Sequence, residues 1–165
     1  MISPELAVRH PNLISDGGKK TSEKDPAYNC IAWAAKRDTE WWWQPGGGTG
    51  IYWPQNVPDD FSFECFVQLF ESLGYERCED LSFELLFEKV AIYAHSDGEF
   101  SHVAKELNSG FWTSKLGPDE DIQHNSPRGL EDQSYGAVKQ VLKRQCGVLQ
   151  IVKRLLGKFH VWDFQ

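Results

Sequence analysis

The stretch Lys89-Val90-Ala91-Ile92-Tyr93-Ala94 is an apolar run between polar flanks, and it predicts a buried strand. Two further runs, 101–107 and 111–116, follow it along the chain. They are joined by Asn108-Ser109-Gly110, and hairpins use connections of this length and composition. We therefore expect an antiparallel sheet at the centre of the chain.

Helical patterns lie on both sides of the predicted sheet. Asn29 is a favourable helix-capping residue, and the Ala-rich run 30–37 ends on two cations, as helix C-termini prefer. In the segment 60–73, apolar side chains recur at spacings of three and four, which predicts an amphipathic helix. A similar pattern over residues 135–156 predicts one more helix, interrupted near Gly147. Together these elements predict the α+β class.

The chain is long enough for one domain. A chain of 165 residues can bury roughly two-thirds of its unfolded surface around a single core. Residues 1–24 are polar and interrupted by Pro and Gly, which predicts a loosely ordered N-terminal segment. Residues 25–165 are expected to form the domain, with 38–60 as a long connection rich in Trp and Gly.

Charge and hydropathy limit the classes of partner. The chain has seventeen Lys and Arg and twenty-four Asp and Glu, which gives a net charge of -7. A chain with this charge does not attract a phosphate backbone, so we expect no nucleic-acid partner. We find no apolar run near the roughly 20 residues that cross a bilayer and no cleavable signal, so we expect no membrane partner. A cytoplasmic protein, or one exported without a classical signal peptide, is the expectation.

The four cysteines have no paired spacing. Without a C-x-x-C motif, neither a zinc ribbon nor a redox dithiol is indicated, and we expect four reduced thiols. Cys30 differs from the others because it falls at the first position of a predicted helix. Backbone N–H groups there favour a thiolate and could hold an oxyanion, which suits a nucleophile. The same position also suits a small packing residue, and the pattern alone leaves both interpretations open.

His102 is the natural partner for such a thiol. It lies early on a predicted strand, which would hold the imidazole in a fixed direction, as a general base requires. A half-buried histidine with a structural hydrogen bond is the alternative interpretation of this position.

A set of motifs over residues 26–145 carries a family resemblance. The motifs are Tyr28-Asn29-Cys30-Ile31-Ala32-Trp33-Ala34, Trp41-Trp42-Trp43, Tyr52-Trp53-Pro54, Glu88-Lys89-Val90-Ala91-Ile92-Tyr93, Ser101-His102-Val103-Ala104, Trp112-Thr113-Ser114-Lys115-Leu116-Gly117, Asp121-Ile122-Gln123-His124 and Tyr135-Gly136. As a set they resemble a family of uncharacterised bacterial proteins. The order of Cys on a helix and then His on a strand is similar to the papain-like superfamily, which includes NlpC-type and CHAP amidases. The S-K-x-G and later His blocks also resemble toxin modules of bacterial polymorphic toxins.

This resemblance implies a papain-like fold, with a Cys-bearing helix packed on the central sheet. It implies a thiol hydrolase or transferase that acts on an amide or related acyl bond, with Cys30 attacking and His102 accepting its proton. No cofactor is implied. The implied substrate is a peptide or protein, including a peptidoglycan-like one, and an effector of this kind would also have a partner protein.

A third catalytic group would orient the imidazole. In papain-like families it lies on the strand after the histidine, where this chain has Thr113-Ser114-Lys115. The candidates are Ser114 through its hydroxyl, or Asp121 or His124 from the following loop, if that loop folds back over the strand.

Further residues are predicted to contact substrate, and they are Asn29, Trp33, Trp42, Lys115 and His124. Lys115 would bind an acidic group, or else lie on a solvated strand face. The cluster Trp41-Trp42-Trp43 and the segment Tyr52-Trp53-Pro54 would line a groove, or else fix the long connection onto the core.

Two other classes of function remain open. A catalytically inactive binding or interaction module could keep the same scaffold. An open zinc site could use Cys30, His102 and either His124 or Asp121, although the spacing does not favour a metal and none is predicted.

Overall fold

The fold is built around a seven-stranded sheet flanked by helices, and the computed structural model describes residues 2–46, 48 and 50–162. In chain order the elements are α1 (Pro4–Arg9), α2 (Asn12–Ser15), β1 (Lys19–Lys20), α3 (Cys30–Ala34), β2 (Trp41–Trp42), β3 (Ile51–Tyr52), α4 (Phe63–Ser72), β4 (Glu76–Cys78), β5 (Phe87–Ala94), β6 (Phe100–Glu106), β7 (Trp112–Lys115), β8 (Asp121–His124), a 3₁₀ turn (Pro127–Leu130), β9 (Ala137–Gln145) and α5 (Val148–Trp162).

The sheet is antiparallel throughout. Its strand order is β1-β8-β7-β6-β5-β9-β4, and every neighbouring pair runs antiparallel. β5 has β6 on one side and β9 on the other, with Ala91 paired to Ala104 and to Val141. A separate parallel pair, β2 and β3, lies in the long connection. The predicted α+β class and the central antiparallel sheet are confirmed.

The two faces of the sheet carry two apolar clusters. Alternate residues of a strand point to opposite faces, so Val90 and Ile92 of β5 join one cluster while Ala91 and Tyr93 join the other. We call these the first face and the second face. Side chains of α3 and α4 cover the first face, and apolar side chains of α1 and α2 cover the second.

The N-terminal segment contains α1, α2 and β1, where loose order was expected. The Ser3 hydroxyl accepts the Leu6 N–H at 3.2 Å, and Pro4 occupies the start of α1. Proline suits the first turn of a helix because its missing N–H is not needed there. Leu6 and Leu13 are both buried. Packing on the second face therefore stabilises a segment whose composition alone indicates irregular structure.

The helix predicted over residues 135–156 is wrong in its first part, which forms β9. Val141 and Leu142 fit one helical stripe, yet both are buried in a strand that pairs with β4 and β5. Hydrogen-bonded neighbours on both sides override the local pattern. α5 begins only at Val148, directly after the predicted interruption at Gly147. In the described ranges, neither α5 nor another helix is both long and apolar enough to cross a membrane.

Candidate functional site

Cys30 opens α3, as the sequence predicts. Asn29 precedes it, and the Asn29 Oδ1 accepts the Ala32 N–H at 3.1 Å. The Asn29 amide also donates to the Trp42 carbonyl at 2.7 Å. This buried side chain, which was predicted to contact substrate, therefore fixes the start of the helix to β2.

The Cys30 thiol faces the backbone of β6. Burial raises the pKa of the thiol to about 11, although the N–H groups of Val103, Ile31 and Cys30 itself act in the opposite direction. The Val103 N–H belongs to the peptide bond that joins His102 to Val103. The sulfur therefore lies beside the backbone of the histidine with which it was predicted to react.

The His102 imidazole points to the second face of the sheet. Tyr93 pairs with His102 across β5 and β6 and packs edge-on against its ring, with 5.4 Å between ring centroids. Val103, the next residue, instead packs in the first-face cluster with Cys30. The two predicted catalytic side chains are thus attached at one point of β6 and lie on opposite faces.

The buried environment keeps His102 neutral. Burial lowers its pKa well below the ordinary value, and the nearby His124 and His10 lower it further. The His102 Nε2 is buried and has no hydrogen-bond partner among the described residues. A neutral imidazole and a neutral thiol, rather than an ion pair, describe the resting state.

A strand irregularity puts Phe100 and His102 on different faces of β6. Tyr93 pairs with His102, but the next residue, Ala94, pairs with Phe100, so Ser101 is an extra residue in β6. Because of this bulge, Phe100 packs against the first-face cluster, stacked on Phe66 at 3.8 Å between ring centroids. Residues 100 and 102, which would share a face in a regular strand, point to opposite faces here.

Tyr135 lies between two histidines. Its ring stacks on His102 with centroids 4.2 Å apart and planes 20° apart, and on His10 at 5.1 Å and 16°. Two rings cannot occupy the same side, so the phenol ring is sandwiched. Burial raises the pKa of Tyr135, and the neighbouring Cys30 raises it further. Tyr135 is therefore in direct contact with His102, the predicted base.

Asp132 holds this stack in place. One oxygen of its carboxylate lies 2.7 Å from the His10 Nδ1, and the other accepts the Tyr135 N–H at 3.2 Å. The Ser101 hydroxyl donates to the Tyr135 carbonyl at 2.5 Å. No role for His10 or Tyr135 was predicted. Tyr135 belongs to one of the motifs that carry the family resemblance, but a single histidine in a polar segment gives no signal.

Ser114 and His124 form a pair on the same face as His102. The His124 Nδ1 lies 2.6 Å from the Ser126 carbonyl oxygen, which can only accept, so Nδ1 carries the proton. The Nε2 then accepts the Ser114 hydroxyl at 3.0 Å. Burial lowers the pKa of His124, which agrees with a neutral ring. Two of the three candidates for the orienting group are thus engaged with each other.

Asp121 and Lys115 lie with Tyr28 on the first face of the sheet, opposite to the face of His102. The Tyr28 hydroxyl donates to Asp121 at 2.8 Å, and the Lys115 ammonium lies 4.8 Å from the centroid of the Tyr28 ring. Lys115 donates to the Asp119 carbonyl and is buried, so it does not lie on a solvated strand face. Asp121 pairs in register with Lys115 and faces away from His102.

The aromatic residues divide between core and surface. Trp33 lies under Lys105, whose ammonium is 3.5 Å from the centroid of the Trp33 ring. Trp42 packs against Tyr52 at 4.8 Å between centroids, and both line an open cavity of about 670 Å³ beside the end of α3. Trp42 and Tyr52, both predicted to line a groove, thus share this cavity, whereas Trp33 packs against Lys105.

A family model described as a domain of unknown function, DUF7689, matches residues 19–143. The chain belongs to this family. No curated protein matches the chain, and no solved structure matches it.

The DUF7689 match includes the candidate residues on both faces of the sheet. Cys30, His102, Ser114 and His124 all lie within it, whereas α1, α2 and α5 lie outside. His10, which completes the ring stack, therefore comes from a segment that the family model does not match.

Metal binding was the open alternative for these residues. Across the described portion of the DUF7689 chain, no group of three or more His, Cys, Asp or Glu side chains is arranged to hold a metal ion. With Cys30 and His102 on opposite faces, the zinc interpretation lacks a common ligand site.

Proposed function

We propose that the chain is a papain-like thiol hydrolase or acyltransferase that acts on amide or related acyl bonds, with Cys30 as nucleophile and His102 as base. One observation carries this proposal: the sulfur at the start of α3 faces the peptide bond between His102 and Val103. The packing of the Cys-bearing helix on β6 and β7 of an antiparallel sheet supports the proposal, because the papain-like resemblance implies a helix of this kind on a central sheet.

The reaction follows from these groups. His102 takes the proton of Cys30, and the thiolate attacks the carbonyl carbon, forming a C–S bond. The N–H groups at the start of α3 hold the oxyanion. His102 then returns its proton to the leaving group as the C–N bond breaks, and water or an acceptor amine cleaves the resulting thioester. The substrate class is a peptide or protein amide.

In the structure, neither Cys30 nor His102 is accessible to a substrate. The thiol is buried with a raised pKa, and Tyr135 lies against the imidazole that must reach it. Turnover therefore requires the His102 ring to leave Tyr135 and the backbone of β6 to shift locally, because a change of rotamer alone does not carry a side chain from one face of a sheet to the other. Of the candidates for the orienting group, Ser114 is favoured over Asp121 because it lies on the same face as His102.

Acylation by p-nitrophenyl acetate tests the proposal. We expect acetyl transfer to Cys30, located by peptide mass mapping, faster than transfer to a free cysteine peptide at the same pH. His102→Ala should lower this rate by about 100-fold or more, which is the contribution of a general base. Cys78→Ala and His95→Ala are the matched controls, since neither side chain touches the pair, and they should leave the rate unchanged.

Acetylation of Cys30 no faster than the free peptide would overturn the enzymatic proposal. It would instead support the second candidate, an inactive binding or interaction module on the same scaffold. The observation that favours this second candidate is the buried thiol, whose pKa of about 11 is that of a packing residue rather than a nucleophile.

A further inference from the structure

An open cavity of about 620 Å³ lies away from Cys30, where the end of β6, the residues after α3 and the start of α5 meet. Three lysines line it, namely Lys36, Lys105 and Lys153. The sequence analysis predicted none of these lysines as a binding residue, because they come from three distant segments that only the fold brings together.

The carboxylates at this cavity are already neutralised. Glu88 accepts from Arg144 Nε at 2.8 Å and also pairs with Lys36. Glu106 accepts from Arg154 at 2.7 Å, and both side chains of this pair are fully buried. Each carboxylate thus has its own arginine, so the lysines give the cavity an excess of positive charge on a chain whose net charge is -7.

Lys105 is the best-placed donor. Its ammonium donates to the Trp33 carbonyl at 2.6 Å and lies 3.5 Å from the centroid of the Trp33 ring. That bond uses one of its three N–H groups. Burial lowers the pKa of Lys105 to about 8, and the charge of Lys36 lowers it further. An anion beside this ammonium would replace the lost hydration and offset the repulsion.

The start of α5 adds N–H donors to the lining of this cavity. Val148, Leu149 and Gln150 line the cavity and are the first residues of this 15-residue helix. The first N–H groups of a helix have no partner within it, and they carry the positive end of the helix dipole. The first turn has no acidic residue to occupy them. Leu149 and Leu107 provide an apolar surface beside these donors.

We propose that this cavity binds a small organic oxyanion, a carboxylate or phosphate with an apolar part, between Lys105, Lys153 and the start of α5. The charged group binds the ammonium groups and the helix N–H groups, and the apolar part contacts the leucines. This proposal does not depend on the proposed thiol chemistry, because none of the lining residues belongs to the Cys30 site.

Amide-resolved NMR titration of the full chain with phenyl phosphate and with hexanoate tests it. We expect saturable shifts centred on residues 105–108 and 147–150 with at least one probe, and the tighter probe identifies the anion. Lys105→Gln and Lys153→Gln should each weaken binding by about ten-fold or more, as loss of a charge-assisted hydrogen bond does. Lys139→Gln, an exposed lysine on β9 away from this cavity, is the matched control and should not change the affinity.

Two outcomes would overturn this inference. One is the absence of saturable shifts at these residues with both probes. The other is unchanged affinity in Lys153→Gln, an exposed position whose substitution leaves the fold intact.

Discussion

Replacing Arg154 by methionine is expected to lower the free energy of unfolding by about 3–5 kcal/mol at pH 7. The Arg154 side chain is fully buried and donates to Glu106 at 2.7 Å and to the Glu84 carbonyl at 2.9 Å. Without the guanidinium, the buried Glu106 carboxylate would lose its hydrogen-bonded counter-ion and keep only the non-bonded charges of lysines such as Lys89 and Lys158. Burial already raises the pKa of Glu106, and Arg154 opposes that increase. Urea denaturation followed by circular dichroism measures the loss.

The double variant Glu106→Gln with Arg154→Met separates charge from packing. We expect it to recover most of the stability, because the uncompensated charge is gone and only a neutral amide remains buried. Lys153→Met, at the neighbouring exposed position, should change the stability by less than about 0.5 kcal/mol. An Arg154→Met chain that unfolds at the wild-type urea concentration would contradict the assignment of Arg154 as the counter-ion.

Lowering the pH from 7.0 to 5.5 is expected to reduce the stability through two buried histidines, by at most about 2.5 kcal/mol. Burial lowers the pKa of both His102 and His124 in the folded chain. In the unfolded chain each imidazole takes up a proton near pH 6.5. The unfolded state therefore binds more protons below that pH, so stability is present above pH 6.5 and is lost as the pH falls.

The variant His102→Gln with His124→Gln should lose this dependence. Glutamine has no proton to gain, so the unfolding free energy of the variant should change little between pH 7.0 and 5.5. His95→Gln, in the turn before β6 and only partly buried, should keep the wild-type slope. Equal slopes in the double variant and in the wild type would show that these histidines are not the groups that titrate.

Local patterns predicted the elements that depend on neighbours in sequence. The apolar run of β5, the hairpin of β6 and β7, and the amphipathic helix α4 all lie where the spacing of apolar residues placed them. The Asn29 cap and the position of Cys30 follow from the same kind of short-range signal, because a cap involves only the first turn of its helix.

The elements that were mispredicted depend on partners distant in sequence. β9 has a helix-like spacing and becomes a strand because β4 and β5 cover its two edges. α1 and α2 lie in a segment of loop-like composition and are stabilised on the second face. In both cases the free energy comes from contacts that a window along the chain does not contain.

The residue types of the candidate site were determined by the sequence: a cysteine that starts a helix, a histidine early on a strand, a serine on the next strand, and a second histidine in a segment that was predicted to be a loop and forms β8. Only the tertiary structure decided which of them meet. Pairing with Tyr93 puts His102 on the face opposite Cys30, and folding brings Tyr135 onto His102 and His10 onto Tyr135. The face that a strand residue occupies changes with a shift of a single residue, and that register is fixed by pairing and packing across the whole sheet.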